Sequence, residues 1–107
     1  MSQETLKAEI TRKALSICND RIRRHSRVAL PGILESTRAQ LEWLVAFFEG
    51  RNNERQRLRE LCFGHYAARE MDERDTEFID ALNRAYYVAS RTAAGLKLDM
   101  KVLGGDL

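Results

Sequence analysis

Apolar residues three and four positions apart recur through almost the whole chain, and this period constrains the fold more than any other feature of the sequence. Side chains at i, i+3, i+4 and i+7 fall on one stripe of an α-helix, whereas a strand would need alternation at every second position. Leu6, Ile10, Ala14, Ile17, Cys18 and Ile22 keep the helical period and predict a first helix from about Thr5 to Arg24. The lone proline, Pro31, followed by Gly32, places a linker over residues 26–32. Ile33, Leu34, Thr37, Leu41, Leu44, Val45 and Phe48 mark a second helix, widened by Trp43 and Phe47 and ended by Gly50, Asn52 and Asn53.

Leu58, Leu61, Cys62, His65, Tyr66 and Ala68 predict a third helix, with Glu54, Arg55, Arg57, Arg59 and Glu60 filling its first turns and Gly64 weakening it. Asp75 is placed to cap a fourth helix, where Glu77 complements the dipole. That helix carries the longest apolar stripe, Phe78, Ile79, Leu82, Ala85, Tyr86, Ala89, Ala93 and Leu96, with Gly95 as a C-terminal cap. The tail over 100–107 is expected to fray.

Each stripe needs a partner, and short connections turn consecutive helices back on one another. The expected fold is therefore all-α, a compact antiparallel bundle of about four helices forming one domain over residues 1–107. A length of 107 residues, 44% of them hydrophobic, supports one modest core and argues against a disordered chain. The longest apolar cluster, Leu44 to Phe48, is far short of the ~20 residues of a membrane span. The opening Met1-Ser2-Gln3-Glu4-Thr5 leads into no apolar signal region, so a cytoplasmic protein with Cys18 and Cys62 reduced is expected.

Catalytic equipment is hard to find. Cys18, Cys62 and His65 include no short ligand pair of the Cys-x-x-Cys kind, and His25 sits among arginines without a second ligand, so no metal is expected. Gly104-Gly105 follows the last helix, without the strand before and helix after that a phosphate loop needs, so no nucleotide cofactor is expected either. Glu70 and Glu73 lie beside Arg69 and Arg74 and read as solvated, ionised acids. The cluster Arg21, Arg23, Arg24, His25 and Arg27 is the best argument for nucleic acid, against which stand a net charge of only +2 and the absence of an aromatic ladder or recognition helix. A small nucleic-acid-binding or regulatory protein is thus the alternative reading, and an enzyme the third.

Projecting the fourth helix at about 100° per residue puts Tyr87 opposite the apolar stripe, among Asp80, Asn83, Arg84 and Arg91. A large ring amid charges on a polar face has the composition of a binding hot spot. The plainer alternative is a tyrosine lying over its own helix or packed in a homodimer of the free protein.

One longer pattern carries a family resemblance: Glu70-Met71-Asp72-Glu73-Arg74-Asp75-Thr76-Glu77-Phe78, then Ala81-Leu82, Ala85-Tyr86-Tyr87-Val88, Arg91-Thr92, and Gly95-Leu96-Lys97-Leu98-Asp99. It resembles the type VI secretion immunity proteins that protect bacteria from NAD(P)+-glycohydrolase toxins. The resemblance implies a cytoplasmic cognate inhibitor that is itself no enzyme and that obstructs the toxin's nucleotide pocket. A nucleotide pyrophosphokinase is the other toxin chemistry it allows. Extra residues at both ends and the basic Arg21–Arg27 segment depart from the family pattern. On this reading Asp72, Glu73, Asp75 and Glu77 face a basic toxin surface, while Tyr87, Arg84 and Arg91, with Asp80 beside them, supply shorter-range contacts.

Overall fold

A computed structural model describes residues 2–104. The helical period is realised in α1 (Gln3–Arg23), α2 (Pro31–Phe48), a 3-10 turn η1 (Arg55–Glu60), α3 (Phe63–Arg69) and α4 (Thr76–Ala93). Ser2 caps α1 by accepting the Thr5 amide, and Asp75 caps α4 by accepting the Phe78 amide at 3.3 Å. Pro31 proves to be the first residue of α2 rather than part of a linker, since a helix's first turn has no use for the N–H that proline lacks. The three long helices end alike. The amides of Ser26, Arg51 and Leu96 reach back to the carbonyls of Arg21, Ala46 and Arg91, across a left-handed residue that is His25, Gly50 or Gly95.

Helix α2 runs back along α1, as Cys18 facing the Leu34 carbonyl and Arg12 facing Glu49 show. Helix α4 also runs antiparallel to α1: Arg21 meets Asp75 at one end, and the Gln3 side chain accepts the Leu98 amide at the other. Leu6, Ile10, Ala14 and Cys18 of α1, Leu34, Leu41 and Leu44 of α2, and Phe78, Leu82, Ala85 and Ala89 of α4 form the shared core. Three buried threonines, Thr11, Thr37 and Thr92, each return their hydroxyl to a carbonyl of their own helix, which removes the cost of burying it.

The third predicted helix is divided. Gln40 of α2 accepts the amides of both Cys62 and Phe63 on its side-chain oxygen, and Leu61 adopts an extended conformation. The chain therefore leaves η1 and restarts as the seven-residue α3, with Phe63 fully buried and Ala68 exposed. Arg55 and Arg59 of η1 donate to the Thr92 and Ala93 carbonyls at the end of α4, where the dipole favours cations, and Arg57 lies over Trp43 at 5.2 Å. Gly64 lets α3 approach α4: a β-carbon there would stand 2.5 Å from the Tyr86 ring. Tyr86 packs edge-on against Phe63 and donates to the Leu61 carbonyl.

Helix α4 stops before Leu96, which is 49% exposed rather than part of the stripe. Beyond it the chain does not fray at residue 100. Turns run to Gly104, and Leu98 and Leu103 are buried; residues 105–107, also expected to fray, lie outside the described residues. Among the described residues no helix is long and apolar enough to cross a membrane. Cys18 and Cys62 are free thiols, and burial pushes the Cys18 thiol up to about 11.

Candidate functional site

Steps of three and four place Glu77, Asp80, Arg84, Tyr87 and Arg91 on one outward stripe of α4, within an arc of about 80°. Asp72 and Glu73 belong to the loop before it. Although these residues were expected to act together, the fold gives them four different environments.

At the N-terminal end, Asp75 and Glu77 are bound to Arg21. Arg21 is only 7% exposed, and its guanidinium donates to both Asp75 carboxylate oxygens at 2.7 and 3.0 Å, to Glu77 at 2.8 Å and to Asp20 at 2.7 Å. The bidentate bond from Arg21 holds the Asp75 carboxyl below its usual value and raises the guanidinium's own. Arg21 occupies the same stripe as Ala14 and Cys18, so its place in the apolar period was the available sign that it points inward. Nothing local signalled its distant carboxylate partners.

Asp72 is held by Arg74, whose guanidinium and amide pull its pKa down to about 2, and its own amide donates to the Val28 carbonyl at 2.7 Å. This fixes the loop against the connection between α1 and α2. Glu73 is exposed. At the other end of the stripe, Tyr87 does not stand free among charges. Its hydroxyl accepts the Asp99 amide at 2.9 Å, Arg91 donates to the Lys97 carbonyl at 2.8 Å, and the Arg91 guanidinium lies 5.9 Å from the Tyr87 ring. The projection of α4 placed Tyr87 correctly on the outward side but carried no information about residues 95–103 folding over it.

Between these ends lies a groove of about 200 Å³ along the α1–α4 seam, lined by Ile10, Lys13, Glu77, Asp80, Ala81 and Arg84. Ile10 and Ala81 form its apolar floor. The side chains of Lys13, Asp80 and Arg84 form no ion pair or hydrogen bond among the described residues. Lys13 was not singled out in the sequence because its side of the groove is built by a different helix.

The arginine cluster that suggested nucleic acid is broken up by the fold. Arg21 is buried, and Arg23 and Arg24 pair with Asp20 at 3.0 and 3.1 Å, which leaves Arg27 and His25 without ion pairs among the described residues. With Arg21 turned inward and Asp20 shared between Arg23 and Arg24, the segment is less basic at the surface than its composition suggests. Among the described residues no three His, Cys, Asp or Glu side chains gather as metal ligands.

Comparison with known families matches the Tsi6 family over residues 7–91, which includes every residue of the stripe and the loop before it. The chain belongs to the Tsi6 family. A relative, the immune protein Tsi6 of Pseudomonas aeruginosa, is 38% identical over 90 residues, spanning 82% of this chain and 90% of its own. A chain from the solved structure of Tse6 in complex with Tsi6 superimposes with a TM-score of 0.75 at 37% identity, covering 87% of this chain and 96% of that one. The NMR structure of an uncharacterized protein from Pseudomonas aeruginosa PAO1 superimposes at 0.71 and 34% identity, covering 92% and 98%. Tsi6 membership thus agrees with the immunity-protein resemblance and with an all-helical bundle. In this Tsi6-family chain the segment folded over Tyr87 and Arg91 begins just past the matched region.

Proposed function

We propose that this chain is an immunity protein that binds the toxin domain of a cognate type VI secretion effector in the cytoplasm and keeps it inactive by covering its nucleotide pocket. The toxin most in keeping with the sequence pattern is an NAD(P)+ glycohydrolase, with a nucleotide pyrophosphokinase as the other chemistry. The protein acts by occupancy and performs no turnover of its own. The observation that carries this reading is the 38% identity, over 82% of the chain, with an immune protein. The match to a chain of the Tse6–Tsi6 complex supports it in three dimensions.

The proposed docking face runs from Asp72 and Glu73 through Asp75, Glu77, Asp80 and Arg84 to Tyr87 and Arg91. Asp75 and Glu77 keep their positions through Arg21, and Tyr87 and Arg91 shape the far end by bracing residues 97–99. A rigid face lowers the ordering cost of association. The protein exposes 6538 Å², so a standard footprint of about 800 Å² would take roughly one-eighth of its surface.

Co-expression with the effector encoded beside its gene tests the proposal. Cells making both should survive, and the two proteins should co-purify as a 1:1 complex. Continued killing at equal expression, with no co-purification, would reject it.

A further inference from the structure

Four arginines among the described residues are buried or half-buried: Arg21, Arg38, Arg84 and Arg91. Three of them donate to an oxygen of this chain. Arg21 serves Asp20, Asp75 and Glu77, Arg38 serves Glu35, and Arg91 serves the Lys97 carbonyl. Arg84 alone donates to none among the described residues, although part of its hydration has been removed by the fold. A guanidinium carries five N–H donors in a planar fork that fits a carboxylate bidentately, and it tolerates partial desolvation better than an ammonium does. Without a partner in this chain, its donors stay open at the surface and ready for an incoming anion.

The surroundings narrow what that anion is. Arg84 shares its groove with Lys13, also unpaired, across an apolar floor of Ile10 and Ala81. Of the two acids lining the groove, Glu77 is bonded to Arg21 and Asp80 has no side-chain partner among the described residues. Two cations without an ion pair therefore line the groove beside Asp80 and beside Glu77, which shares the one charge of Arg21 with Asp75 and Asp20. At about 200 Å³ the groove has the scale of a single side chain, well below the roughly 300 Å³ at which small-molecule pockets begin. An apolar floor suits the methylene stem of such a side chain, with the cations placed for its head.

We propose that the α1–α4 groove receives one acidic side chain from the effector's toxin domain, held by Arg84 with support from Lys13. This rests on the immunity reading and refines it: the central contact of the face is basic, with the partner's aspartate or glutamate inserted, rather than an acidic clamp on a basic toxin surface. Asp80 then bounds the groove and repels an acid entering in the wrong register.

The test uses the full chain and its co-encoded toxin domain, measuring Kd by calorimetry for the wild type and for Arg84→Glu, Arg84→Lys, Lys13→Glu and, as a control outside the groove, Arg27→Glu. Circular dichroism establishes folding for each. Arg84→Glu is expected to weaken binding about 30-fold or more, Lys13→Glu less, and Arg84→Lys to recover part of the loss because it keeps the charge without the fork. Arg27→Glu should leave Kd unchanged. Replacing the matching acid of the toxin by arginine should restore binding to Arg84→Glu. Folded Arg84→Glu and Lys13→Glu variants binding within about threefold of the wild type would overturn the groove assignment while leaving the immunity reading standing. A wild-type protein that fails to bind the toxin would overturn both.

Discussion

Arg21 shows how one side chain joins distant parts of the sequence. Removing it leaves Asp75 and Asp20 facing each other without their cation, so Arg21→Gln is expected to lower the unfolding free energy by about 2–3 kcal/mol at pH 7. The acid limb should change as well. Arg21 depresses the folded pKa of Asp75 below the usual 3.8, so this contribution is present above that value and is lost as pH falls through the folded pKa. Urea titrations at pH 7 and near pH 2 would show the variant's deficit shrinking on acidification. A deficit that is the same at both pH values would assign Arg21 a packing role alone. At this scale the sequence was partly legible. The capping role of Asp75 follows from its position before an apolar run, but its pairing with a residue 54 positions away has no local signature.

Among the elements, α1, α2 and α4 were legible because each buries a stripe, and the period of that stripe is written directly in the sequence. The segment from Arg55 to Arg69 was not, because its course is decided from outside. Gln40 on α2 captures two amides that a continuous helix would have used itself, and the arginines of η1 are drawn to the carbonyl end of α4. Gly64 looked like a defect in a helix and is instead the place where α3 comes close to Tyr86. Gly64→Ala should therefore destabilise the protein by about 1–3 kcal/mol despite alanine's better helix propensity, through displacement of the Tyr86 ring. Thermal unfolding followed by circular dichroism measures this directly, and a variant at least as stable as the wild type would show that the two elements separate without cost.

For the whole molecule, the fold class and the likeness to an immunity family were both readable from the sequence, whereas the footprint was readable only as a list of candidates. A helical wheel distinguishes inward from outward; it says nothing about which outward charges are already consumed by partners on other helices. That is why Asp75 and Glu77 looked free and Lys13 went unnoticed, whereas Asp72 is taken up by Arg74 two residues along its own loop. A ligand that binds only the folded state raises apparent stability by mass action. Toxin domain at a free concentration 100 times its Kd should therefore add about 2.7 kcal/mol to the unfolding free energy, read as a rise in melting temperature. No shift at saturating toxin would mean that the two do not associate. The bond from the Leu98 amide to the Gln3 side chain has a practical consequence of its own. Two dyes attached near these positions would lie side by side in the native chain and drift tens of ångströms apart once it unravels, giving energy transfer a built-in ruler of its integrity.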